Sequence, residues 1–192
     1  MKYLCVYCGS SPGQDPAYAE SATLLGQLLA EAGWGLVYGG GRVGLMGAVA
    51  DAAMAHHANV LGIIPEFLHG LEVAHEGISE LQVVPDMHER KARMAEKADA
   101  FLVLPGGFGT LEELYEILTW AQLQLHHKPV VLANINGYYE HLIRFMDQQV
   151  EAGFLKANNR SLIPHFDSVQ AAFKHLQQHI STQHTGLDQE KI

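Results

Sequence analysis

Cysteine and positive charge are scarce in this chain, and each scarcity removes a class of function. Two cysteines occur in 192 residues, Cys5 and Cys8. Their lone C-x-x-C has neither a helix start nor a second ligand pair, so it offers neither a redox couple nor a metal site. Residues three apart in a strand also point to opposite faces, which predicts two buried thiols rather than a disulfide. Lys and Arg number 12 against 21 Asp and Glu, a net charge of −9, which argues against a nucleic-acid partner. No apolar run approaches the ~18 residues of a membrane span. The N-terminus lacks a basic region, a long apolar stretch and a cleavage site, so a cytoplasmic location is expected. Twelve histidines include the pairs His56-His57 and His126-His127, but no H-E-x-x-H or comparable spacing. They read as surface or helix-cap residues, and no metal is expected.

What remains is an alternation. Apolar runs at 4–8, 36–38, 60–64, 81–84, 101–104 and 130–133 have strand length. Helix-period segments at 16–32, 45–57, 87–98, 111–125, 138–153 and 168–179 follow or separate them, with 66–80 a mixed loop. Strands apolar throughout and spaced by helices predict an α/β fold, a Rossmann-like doubly wound parallel sheet with helices on both faces. The pattern is that of a single nucleotide-binding domain over residues 1–180, with 181–192 a flexible tail.

Ligands of such sheets bind beyond the carboxyl ends of the strands, so the strand-to-helix loops are informative. Gly39-Gly40-Gly41-Arg42-Val43-Gly44 fits G-x-G-x-x-G, and Glu66 lies at a distance suited to a ribose partner. Alone, that motif suggests a dinucleotide-dependent oxidoreductase; equally, glycines serve tight turns and close packing. A second Gly-rich loop, 105–110, follows another strand. Each loop opens a helix whose first N–H groups and dipole favour an anion. Neither continues into G-K-[ST], which excludes a Walker A phosphate loop.

Thr110-Leu111-Glu112-Glu113 matches a capping box with Thr110 as N-cap and Glu113 three residues on. Leu111, Leu114, Tyr115 and Leu118 form the expected buried stripe, with Glu112, Glu113 and Glu116 outside it. A carboxylate in a first turn is expected to be held ionised by the dipole, and fixed there it suits the positive charge that builds on a sugar during N-glycosidic cleavage. Upstream, Arg90 opens the 87–98 helix. A cation in that position opposes the dipole and points to an anionic partner.

Together, Pro105-Gly106-Gly107-Phe108-Gly109-Thr110-Leu111-Glu112-Glu113 (P-G-G-x-G-T-x-x-E), Met87-His88-Glu89-Arg90-Lys91 and the 39–47 loop resemble the LONELY GUY (LOG) family. That family comprises cytokinin riboside 5′-monophosphate phosphoribohydrolases, often active on AMP and formerly labelled lysine decarboxylases. The resemblance runs from Cys5 to Phe154. It implies that Arg90 and Glu113 are catalytic and that Gly106, Gly107, Gly109 and Thr110 cradle the 5′-phosphate. By the same resemblance Gly41 and Gly44 line the pocket, Ser10 lies near the nucleotide, Lys91 and Arg93 assist, and Glu72 matches a glutamate near the substrate. It also implies a homodimer or larger assembly, with the active site near the subunit interface, and requires neither metal nor redox cofactor. Leu45, Met46 and Met94 are candidate walls for the base. The rival readings are a non-catalytic nucleotide carrier of the same fold and the oxidoreductase.

Overall fold

The computed structural model describes residues 1–69 and 73–187, with side chains to Ile180. Seven parallel strands form one sheet. In chain order they are β1 (Tyr3–Tyr7), β2 (Gly35–Tyr38), β3 (Val60–Pro65), β4 (Glu80–Val84), β5 (Ala100–Val103), β6 (Val130–Ala133) and β7 (His165–Phe166). Their spatial order is β4-β3-β2-β1-β5-β6-β7. The chain therefore winds outward from β1 to β4, then returns to the other side of β1. The reversal falls between β1 and β5, where Leu4 pairs with Ala100 and Tyr7 with Val103. A crevice opens at the carboxyl ends of strands at such a point.

The helices are α1 (Pro16–Glu31), α2 (Gly44–Ala55), α3 (Glu66–His69), α4 (Met87–Lys97), α5 (Phe108–Gln122), α6 (Glu140–Glu151), α7 (Ala157–Arg160) and α8 (Val169–Leu187). One face of the sheet is covered by α1, α2 and α8, burying Leu25, Val49 and Leu176 among others. The other is covered by α4, α5 and α6 through Met94, Leu114, Ile117 and Ile143. Cys8 packs into the first layer and Cys5 into the second, both as free thiols. No helix among the described residues is long and apolar enough to cross a membrane.

Four local expectations change. The 66–80 loop contains α3 and a bridge from Ala74 to Gly41. The final helix continues past His179 to Leu187, so part of the expected tail is helical in its backbone; residues 188–192 lie outside the described residues. The two-residue β7 and the single turn α7 are too short to impose a periodic pattern. Helix α5 starts at Phe108, three residues earlier than expected.

Candidate active site

Asp86 caps α4, its carboxylate accepting from the Glu89 N–H at 2.9 Å. That cap aims the first turn at the carboxyl end of β2. Arg90 lies there, only 8% exposed, against Gly39. A Cβ on residue 39 would sit 1.9 Å from Arg90 Nη2, so glycine is what lets the guanidinium cross the strand end. Arg90 is poorly paired for a buried cation. Nη2 reaches Glu113 Oε1 at 3.4 Å, well beyond the ~2.8 Å of a strong charge-assisted bond. Nη1 faces the Met87 sulfur at 3.7 Å, and Nε is buried without a partner. Guanidinium donors left idle in a buried setting are available to an anionic or hydroxylated ligand.

Glu113 stands on α5, and the helix begins differently from the capping-box expectation. Gly107 is the N-cap, without a side-chain cap bond, and α5 opens at Phe108. Thr110 is thus the third helical residue and Glu113 lies in the second turn, where it caps nothing. The buried residues are Thr110, Glu113, Leu114 and Ile117, so Glu113 lies inside rather than outside the buried face. Of the expected stripe, Leu114 is buried, Leu111 and Leu118 pack half-buried against the same core, and Tyr115 is exposed. Glu113 faces the cavity between α4 and α5 and is 7% exposed. The expectation of a depressed pKa is also overturned. Burial raises it to about 7, ahead of the opposing Arg90 charge and a further upward push from Glu112. Past the first turn the helix dipole is weak, and desolvation dominates.

The two Gly-rich loops have different fates. In 39–44 the backbone is engaged by the protein. The Arg42 N–H donates to the Val73 carbonyl and the His75 N–H to the Gly40 carbonyl. Gly44 (φ +61°) lies against the Ser10 backbone, where a Cβ would come within 2.3 Å. Gly41 and Gly44 thus shape the wall through packing. In 105–110, a Cβ on Gly107 or Gly109 would meet nothing within 4 Å. The first α5 bond described is from Leu111 N–H to the Gly107 carbonyl, so the preceding N–H groups remain for a ligand. Gly106 is close-packed, its missing Cβ lying 2.1 Å from Thr110 Oγ1.

A cavity of about 390 Å³ joins Arg90, Glu113, Thr110, Gly107, Gly109 and Ser10. Lys91 and Arg93 point elsewhere. Lys91 is buried between Glu112 and Glu116, with Glu116 Oε1 at 3.0 Å, and Arg93 pairs with Glu89 at 2.6 Å. Glu72 lies outside the described residues. Of the candidate walls, Met46 lines the cavity, Leu45 lines a neighbouring cleft, and Met94 is core. Sequence reasoning missed Gly39, Val43, Leu68, Val73, Met87 and Phe108 as site residues. Met87 had a legible signal, three residues before Arg90 on the same helical face. Leu68 and Val73 flank a segment without a periodic pattern.

Comparison with known proteins places the chain in a family. A family described as "Possible lysine decarboxylase" matches residues 46–176. A cytokinin riboside 5′-monophosphate phosphoribohydrolase of Arabidopsis thaliana is 52% identical over 163 residues, covering 85% of this chain and 75% of the relative. The chain belongs to the LOG family. A LOG enzyme of Oryza sativa subsp. japonica with the same descriptive name is 45% identical, over 97% of this chain and 77% of its own. Among solved structures, the molybdenum cofactor binding protein of Rippkaea orientalis superposes with a TM-score of 0.71 at 22% identity, over 93% of this chain and 97% of that one. At that identity the likeness speaks to the LOG fold alone. The family match spans Arg90, Glu113 and the whole 105–110 loop.

An open helix N-terminus, an under-paired buried guanidinium and a carboxyl titrating near neutrality thus face one cavity in this LOG chain. Such a set can bind a phosphomonoester at one end and move a proton at the other.

Proposed function

We propose that the chain hydrolyses the N-glycosidic bond of nucleoside 5′-monophosphates, cytokinin riboside 5′-monophosphates and AMP among them, to free base and ribose 5-phosphate. The buried, loosely paired Arg90 and Glu113 beneath the open N-terminus of α5 carry this reading. The 5′-phosphate sits on the backbone N–H groups of 107–110, with Ser10 and Gly106 at its flank. Ionised Glu113 faces C1′, stabilises the oxocarbenium-like transition state and takes a proton from the attacking water. The electrons of the C1′–N bond leave with the base, which takes up a proton. Arg90 binds the substrate and restrains Glu113. Lys91 and Arg93 act at a distance, Lys91 by tying α4 to α5.

The reading includes a homodimer in the cytoplasm, with the active site near the subunit interface. Phe108 at the cavity mouth is 93% exposed, and Tyr115 is exposed on the same helix; both support an apolar contact there.

The test is base release from AMP and from isopentenyladenosine 5′-monophosphate by wild type and Glu113→Gln. Loss of the carboxylate is expected to lower kcat by about 10³-fold, the scale of removing a preorganised charge from a transition state. Because the ionised form is required, kcat/KM should rise with pH through about 7. Stability runs the other way. A carboxyl whose pKa is raised on folding holds its proton where the unfolded chain has lost it, so stability falls as pH climbs from about 4.5 to about 7. Glu113→Gln should flatten that slope in a melting series. Nucleotide bound but never cleaved by wild type would mark a carrier.

A further inference from the structure

Tyr138 and Tyr139, on the turn after β6, both donate to the loop that precedes α5. Tyr139 Oη donates to the Leu104 carbonyl and Tyr138 Oη to the Gly106 carbonyl, each at 2.7 Å. The turn is itself braced: Asn134 Oδ1 accepts from the Tyr139 N–H at 2.7 Å, and Asn136 Nδ2 donates to Asp15, the N-cap of α1, at 2.8 Å. Tyr138 does not line the cavity of Arg90 and Glu113. It lines the adjoining cleft of about 320 Å³, and Gly107 is shared by the two.

We propose that Tyr138 is a positioning residue that fixes the orientation of the Gly106–Gly107 peptide, so that the Gly107 N–H faces the phosphate. This rests on the N-glycosidic hydrolase reading above. The C=O and N–H of a trans peptide point in opposite directions, so holding the Gly106 oxygen toward Tyr138 turns the Gly107 N–H the other way, into the cavity. A peptide between two glycines has little intrinsic barrier to flipping, because both φ/ψ signs are open to each residue. Flipped, it presents a carbonyl oxygen to an anion instead of a donor. The Tyr138 hydroxyl supplies the restraint that side chains at 106 and 107 lack.

Tyr139 supplies the control. Its hydroxyl donates to the Leu104 carbonyl and lies beside the Gly106 N–H, so it holds the peptides on either side of Pro105 and not the one that carries the Gly107 N–H. Tyr138→Phe and Tyr139→Phe each delete one hydroxyl and retain the ring. Affinity for ribose 5-phosphate, by titration calorimetry, should weaken roughly fivefold to tenfold in Tyr138→Phe, the scale of one net hydrogen bond. In Tyr139→Phe it should stay within about twofold while the melting temperature falls, since that hydroxyl is buried. With AMP, Tyr138→Phe should raise KM and leave kcat nearly unchanged. Wild-type affinity in Tyr138→Phe, or equal losses in both variants, overturns the proposal. Absence of base release by wild type would overturn the hydrolase reading, while the ribose 5-phosphate titration still decides the role of Tyr138.

Discussion

The 39–44 and 105–110 loops look alike as strings of glycine after a strand, yet the protein uses them in opposite ways. The first spends its glycines on itself: Gly39 clears a path for Arg90, and Gly44 lies on the Ser10 backbone. The Arg42 amide and the Gly40 carbonyl are taken by Val73 and His75. The second leaves Gly107, the N-cap of α5, and Gly109, in its first turn, facing open space. A glycine motif therefore reports only that backbone must come close to something. Whether that something is protein or ligand is decided by which atoms remain unpaired. Arg90 and Lys91 repeat the contrast on adjacent positions of α4, one buried cation poorly paired and the other held by two carboxylates.

The sharpest way to break the comparison is to remove each cation in turn. Arg90→Met should lower kcat/KM by about 10³-fold, near 4 kcal/mol of transition-state stabilisation, with little change in melting temperature because its protein bonds are weak. Lys91→Met should do the reverse. Its burial opposes the charge, but Glu112 and Glu116 outweigh that and raise its pKa. Severing a fully buried pair costs about 3–5 kcal/mol. Glu112 is half exposed, so solvent screening reduces this to about 2 kcal/mol. Activity per folded molecule should persist. If Lys91→Met abolishes turnover at full stability, the separation of the two cations fails.

Within the loops, Gly44→Ala should be the more damaging change to the fold. The residue has φ +61°, and a new Cβ would lie 2.3 Å from the Ser10 carbonyl carbon, backbone that cannot rotate away. Left-handed strain and overpacking together put the loss at about 3 kcal/mol, readable as a lower denaturant midpoint. An unchanged midpoint would mean that this loop is less committed to packing than its contacts indicate.

The sequence carried the sheet because strands such as Val60–Pro65 are apolar at every position, a pattern that only two covered faces produce. It pointed to Arg90 both locally, as a cation set against the α4 dipole, and through the family motif, whereas at Glu113 the local rules failed in an instructive way. Thr-x-x-Glu is a sound capping signature, but α5 opens at Phe108 with Gly107 as its N-cap, which puts Thr110 inside the first turn and Glu113 in the second. Glu113 is on the buried side of that helix and away from the dipole's end, so burial raises its pKa instead of the dipole lowering it. Met94 was misplaced for a related reason: one α4 residue packs under the sheet while Arg90, one turn earlier, reaches the strand ends, and hydrophobicity alone does not separate core from pocket wall. Leu68 and Val73 reach the cavity from a stretch with no periodicity to read.

The smallest expected effect is also the most pointed, because it sets stability against function at one atom. Gly109 is the second residue of α5, and a Cβ there would meet no protein atom within 4 Å. In a helix, alanine is favoured over glycine by about 0.5–1 kcal/mol. Judged by protein contacts alone, Gly109→Ala should raise the melting temperature and do no harm. If the open space belongs to the 5′-phosphate, the same methyl group intrudes on it, and KM for AMP should rise several-fold while the protein grows more stable. A variant both more stable and fully active would show that Gly109 is not reserved for ligand, leaving Gly107 and Thr110 to carry the phosphate without it. A less stable variant would mean that the space is closed by something beyond the contacts of one chain, as a second copy against the Phe108 end of α5 would do.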